Sequence, residues 1–171
     1  MKLSYYPNSV LRQVAKKVKE ITPAVLKMLD EMLALMYVAN GKGGVGIAAP
    51  QIGVLKRLLI VDPEAREKEN RNPIFMINPK ITHFSADKCE YEEGCFSIPE
   101  IYAPVIRSVA CKVEYTDRDG KLQKLEADGF LSRVIQHEID HLDGKLFIDH
   151  LSSLRRKLIS GKLKALEKKY G

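Results

Sequence analysis

Between Thr22 and Gly41 the apolar positions Val25, Leu29, Met32, Leu33 and Met36 recur every three or four residues. That spacing gathers them on one stripe of a helix. Thr22 suits an N-cap, Pro23 the first helical position, and Asn40 with Gly41 the stop. Further on, RLLIVD (57–62) and IFMINPKI (74–81) are short apolar runs and predict strands, with the charged PEAREKENRN loop between them. SVACKVEYTD alternates Val109, Cys111, Val113 and Tyr115 to one face, the pattern of a half-buried strand with Cys111 in the core. The turn DRDG leads back into KLQKLEAD as a hairpin. A helix follows at QHEIDHLDG (136–144), and LSSLRRKLISGKLKALEKKY makes a last one, weakened at Gly161, with Leu154, Leu158 and Leu166 available to pack on the core. Helix, strands, helix, helix predicts an α+β fold with a mainly antiparallel sheet.

The chain has 171 residues, 45% of them hydrophobic and 29% charged. That suits one globular domain over 1–171, with 151–171 as a basic C-terminal helix. No repeat or low-complexity segment interrupts it. No segment approaches the ~18 unbroken apolar residues of a membrane span, and MKLSYYPNSVLRQ lacks a secretory h-region. The expectation is a soluble, cytoplasmic protein with no membrane partner. The net charge of +6 is all in residues 151–171, where seven Lys and Arg face one acid, Glu167. A balanced body argues against a nucleic-acid-binding body, DNA included; the tail suits an acidic partner or simply solvates a helix face. Three cysteines without a secretion signal argue against a disulfide framework and leave at least one as a thiol or ligand.

The chemistry concentrates in His137-Glu138-x-x-His141. At about 100° per residue the two histidines lie about 40° apart and one turn along a helix, so both imidazoles can reach one ion. Ile135, Ile139 and Leu142 fall on the opposite side, about 140–200° round, and can anchor the helix in the core. Glu138 flanks the pair without ligating. A catalytic site then needs a third protein ligand. Asp143, Asp149, His150 and Glu167 lie downstream. Cys95 in EEGCFSIPE lies upstream, and a thiolate suits a borderline-soft divalent ion. A third stretch, GGVGIAAPQ (43–51), is neither a P-loop nor a dinucleotide fingerprint. Its small residues permit close approach of a ligand backbone, and Gln51 offers an amide donor.

Three motifs thus stand in order: Gly44-Val45-Gly46-Ile47-Ala48-Ala49-Pro50-Gln51, Glu93-Gly94-Cys95-Phe96-Ser97 and Gln136-His137-Glu138-Ile139-Asp140-His141. Together with the opening YPNSVLR they resemble the peptide deformylase family, which removes the formyl group from the N-terminal formyl-methionine of new polypeptides. The resemblance implies sheets packed around a central metal-binding helix. It implies Cys95, His137 and His141 as ligands, with iron(II) as the usual metal and zinc, nickel or cobalt as substitutes. It implies Glu138 as the acid–base residue, Gln51 and the Phe96 N–H as oxyanion donors, and Val45, Gly46 and Gly94 along the substrate. It also implies N-formyl-methionyl nascent peptides as partners, with the ribosome as a partner for the basic tail. Phe96 departs from the family's frequent leucine, and Tyr102 stands at a rim position often held by arginine. Two other readings start from the same residues: a zinc endopeptidase, in which Cys95 is irrelevant, and a non-enzymatic metal-stabilised module that binds ribosomal RNA, with a closed site that includes Cys89.

Overall fold

The computed structural model describes residues 1–171. Helix α1 spans Pro23–Val38, capped by the Thr22 side chain on the Val25 N–H, and it buries Val25, Leu29, Met32 and Met36. Seven strands follow: β1 (Gly46–Ala48), β2 (Leu58–Val61), β3 (Ile74–Phe84), β4 (Lys88–Cys95), β5 (Ile98–Ser108), β6 (Ala110–Thr116) and β7 (Leu122–Asp128). Helix α2 (Gly129–Leu142) and helix α3 (Ser153–Tyr170) complete the chain. All strand pairs are antiparallel, in a five-stranded sheet of order β1-β2-β3-β6-β7 and a separate hairpin β4-β5.

The unbroken apolar run of β2 has a physical reason. Leu58 and Ile60 pack against α1, while Leu59 and Val61 pack on the side of α2. A strand covered on both faces has no polar face to alternate with. Val134, Ile135, Ile139 and Leu142 of α2 join Met76, Cys111 and Val113 beneath the sheet. A third cluster joins Ile101, Ala103 and Val105 of β5 to Leu146, Phe147, Ile148 and, from α3, Leu163. Helix α2 therefore lies between the large sheet and the β4-β5 hairpin, which makes it the central element.

Several local expectations shift. Helix α2 begins at Gly129, seven residues before the segment that its histidines mark. The sequence shows no sign of the β4-β5 hairpin, because residues 88–92 of β4 are mostly polar and exposed, and only β5 alternates, burying Ile101, Ala103 and Val105. Leu154 and Leu158 are exposed at 68% and 76%, not packed, and α3 instead seats Ile159, Leu163 and Leu166. Gly161 leaves α3 unbroken. No helix is long and apolar enough to cross a membrane.

Candidate metal centre

One ligand atom each from Cys95, His137 and His141 lie within 4.8 Å of one another, two from α2 and one from the end of β4. Cys95 Sγ is 3.2 Å from His141 Nε2. The four downstream candidates are committed elsewhere. Asp143 pairs with Arg57 at 2.7 Å, Asp149 with Arg12, His150 with Asp140 at 2.7 Å, and Glu167 accepts from the Tyr6 hydroxyl at 2.8 Å. Cys89 is exposed, with Arg133 on its sulfur, and stands outside the cluster. Of the candidates, Cys95 is the one that the fold brings beside both histidines.

The donor set fits a divalent ion by its protonation chemistry. His137 donates Nδ1–H to Glu93 Oε2 at 2.9 Å, which leaves the Nε2 lone pair for the centre. Burial opposes ionisation of Cys95, but the charge and hydrogen bonds of His141 and His137 hold its pKa well below that of an ordinary thiol. A thiolate beside two imidazoles is the ligand form that a borderline-soft metal requires. His141 Nδ1 and Glu138 Oε2 are buried without a hydrogen-bond partner in the protein. A buried polar group of this kind is costly unless the site uses it.

Glu93 anchors the arrangement. Arg107 grips it twice, at 2.6 and 3.0 Å, and Arg133 adds a contact at 2.7 Å. Arg107 also reaches Asp140 at 2.8 Å. Two carboxylates thus face two guanidiniums, a neutral buried set that lowers the cost of taking charges out of water. Burial alone would raise the Glu93 pKa; the hydrogen bonds from His137 and Arg107 override it and hold the carboxylate well below its usual range. Asp140 is likewise held down, against burial, by His150 and Arg107. Sequence reasoning did not assign these residues. Arg133 and Asp140 stood at i−4 and i+3 from His137, on its helix face, and that was a readable signal. Arg107 carried none, because only the β4-β5 pairing brings it to Glu93.

The flanking residues fall as follows. Glu138 is buried, and burial pushes its carboxyl up to about 7 while the imidazoles oppose the shift. A Cβ on Gly46 would sit 2.4 Å from Glu138 Oε1, so only glycine lets β1 pass there. Gln51 accepts from the Ala48 N–H at 2.8 Å, which turns its Nε2 toward Cys95 Sγ at 3.4 Å. Phe96 begins the turn between β4 and β5, and its carbonyl accepts from Asn40 at 3.3 Å. Val45 is half-buried, and its carbonyl accepts from the Asp62 N–H at 2.7 Å. Gly94 lies against the exposed Tyr102, whose ring would be 2.6 Å from a Cβ there.

The register of β1 bears on substrate access. Val45 accepts from the Asp62 N–H just beyond β2, and Ile47 stands opposite Ile60 in the same phase of the ladder, so the N–H and C=O of Gly46 and Ala48 face the free edge. Gln51 occupies the Ala48 end of that edge. The edge stays open beside Gly46, next to Glu138, in the direction of Val45 and Gly44.

Residues 1–157 match the family model described as polypeptide deformylase. A peptide deformylase of Agrobacterium fabrum is 50% identical over 153 residues, covering 90% of this chain and 88% of its own. Among solved structures, peptide deformylase 1B of Arabidopsis thaliana aligns with a TM-score of 0.92 at 34% identity, over 99% of this chain and 92% of its own. A peptide deformylase from Legionella pneumophila aligns at 0.87 with 38% identity, over 98% and 95%.

Proposed function

The chain belongs to the polypeptide deformylase family, and from that premise we propose how its site works on N-formyl-methionyl peptides. The reaction is hydrolysis of an amide: water adds to the formyl carbon, the C–N bond breaks, and formate and a free N-terminal amine leave. Cys95 Sγ, His137 Nε2 and His141 Nε2 would hold the ion. An iron(II) ion there, with zinc, nickel or cobalt as substitutes, supplies Lewis acidity toward the formyl oxygen and toward water.

The chain's own groups do the rest. Glu138 Oε2, buried and unpartnered, takes the proton of the attacking water and later gives it to the amine nitrogen. A carboxyl pushed up to about 7 by burial is suited to both directions of transfer near neutral pH. Gln51 Nε2, fixed by its own carbonyl on Ala48, and the Phe96 N–H stabilise the developing oxyanion. Glu93 holds His137 in the tautomer that turns Nε2 inward. The free edge at Gly46 pairs with the substrate backbone, with Val45 and Gly94 beside it. A formyl carbon bears only hydrogen beside its oxygen, so a tight wall around the centre would admit it more readily than an acetyl or internal peptide carbonyl.

The carrying observation is the convergence of the three ligand atoms with the orphaned Glu138 oxygen beside them. The test is anaerobic purification, metal analysis and a formate-release assay on formyl-Met peptides. Stoichiometric metal with formate release supports the reading; internal cleavage of unformylated peptides without formate supports an endopeptidase. We further propose a cytoplasmic enzyme that meets nascent chains at the ribosome through the lysines of α3, with no DNA or membrane partner. The basic excess of residues 151–171 supports the ribosomal contact, and the balanced charge of residues 1–150 argues against a DNA-binding body.

A further inference from the structure

A recess of about 440 Å³ opens where the turn after α1 meets the loop between β2 and β3. Tyr37, Lys42, Gly44, Arg66, Lys68 and Arg71 line it, and none of its lining residues is acidic. None of these four cations forms an ion pair. Arg71 is set in place: its guanidinium lies 3.8 Å over the Tyr37 ring and its Nε donates to the Ala65 carbonyl at 3.0 Å. The loop's acids make no ion pair with these cations and do not line the recess. Asp62 is buried and occupied by the Tyr37 hydroxyl at 2.7 Å and the Glu64 N–H at 3.1 Å. Glu64, Glu67 and Glu69 are not among the lining residues. Four unpaired cations around one concavity raise the local concentration of anions.

The recess shares a wall with the centre. Gly44 lines it and also carries the Phe96 ring, 2.2 Å from where a Cβ would sit. Phe96 follows the ligand Cys95. Gly46, against Glu138, is two residues further along, about 7 Å of extended chain. Gln51 closes the other end of the β1 edge, so an extended substrate anchored at Glu138 runs past Val45 toward Gly44. We infer that this recess receives a carboxylate side chain of the formylated substrate, at its third or fourth residue, and so makes the enzyme selective for acidic N-terminal segments. The inference rests on the deformylase reading. A phosphate of structured RNA would meet the same charges, but the shared wall with the site favours the peptide.

The test uses the metal-loaded enzyme and formyl-Met-Ala peptides carrying Asp, Ala or Lys at the third or fourth residue. At low salt, kcat/KM for the best Asp peptide exceeds that for its Lys counterpart by about tenfold, carried by KM, and the ratio collapses in about 0.5 M NaCl. The doubly reversed variant Arg66→Glu with Lys68→Glu lowers the ratio to one or below it. The comparison is internal to each protein, so a general loss of activity does not move it. A wild-type ratio within about twofold of one at both positions overturns the inference, as does a preference that survives the double variant. Inhibition by a short RNA that the double variant abolishes, without an acidic-peptide preference, overturns it in favour of nucleic acid. Formate release from the all-Ala peptide reads the underlying activity separately: its absence removes both readings, its presence without charge preference removes only this one.

Discussion

At the residue scale, two glutamates of the site have opposite environments and opposite expected phenotypes. Glu138 is buried with one oxygen unpartnered, so Glu138→Ala is expected to keep stoichiometric metal and to lose formate release by ~10²–10⁴. Metal analysis beside the activity assay checks both halves, and a metal-free variant would contradict the assigned role. Glu93 instead neutralises Arg107 and Arg133 and orients His137. Glu93→Gln leaves buried guanidinium charge uncompensated, with an expected cost of about 3–5 kcal/mol in denaturant unfolding. It also releases the His137 tautomer, with metal affinity falling by ~10–100-fold in chelator competition. Glu138 was marked by its motif, and Arg133 by its place one turn before His137; that Arg133 and His137 converge with Arg107 of β5 on Glu93 is visible only in the geometry.

At the scale of elements, α3 has two faces with different work. Its inner side seats Ile159, Leu163 and Leu166 against β5 and the segment around Phe147. Leu163→Ala is expected to cost ~2–5 kcal/mol and lower the melting temperature. Leu158→Ala, on the exposed outer side, is expected to fall within about 0.5 kcal/mol of wild type. Removing residues 155–171 would therefore damage the fold before it reports on docking. Charge reversal of the exposed Lys157, Lys164 and Lys168 is the better probe. It should weaken salt-sensitive co-sedimentation with ribosomes while small-peptide turnover persists. Unchanged sedimentation at low salt would remove the docking proposal. The two-faced helix was not readable from spacing, since Leu154 and Leu158 fit an apolar stripe as well as Leu163 and Leu166 do.

Across the whole molecule, charge pairs join segments far apart in sequence. Arg12 holds Asp149, which also meets Arg156 at 3.7 Å, so the N-terminal segment, the turn before α3 and α3 itself are tied at one carboxylate. Burial would raise the Asp149 pKa, but the Arg12 hydrogen bonds dominate and leave it below the ordinary carboxylate range. A carboxyl held lower in the folded state stabilises above its unfolded pKa, and that contribution fades as pH falls through its lowered folded value. Asp149→Asn is expected to be less stable than wild type near neutral pH and to converge with it in acid. Urea unfolding at stepped pH checks this; a constant difference down to the acid limit would mean that the pair contributes nothing through its charge.

The sequence by itself determined the elements with strong local periodicity and the residues whose chemistry is written in spacing. The α1 stripe, the apolar run of β2 and the His137-Glu138-x-x-His141 turn are local facts, because a helix or strand fixes side-chain direction residue by residue. The motif order also sufficed to indicate the family. Only the tertiary structure shows Cys95, which the resemblance implied as a ligand from more than forty residues away, beside the histidines, with the downstream candidates paired elsewhere. It alone decided that Arg107 and Arg133 converge on Glu93, and that Lys42 shares a recess with Arg66, Lys68 and Arg71. The physical reason is that such sites are assembled by strand pairing and packing between elements, and neither the register of a hairpin nor the depth of a packed helix is encoded in the period of any one segment.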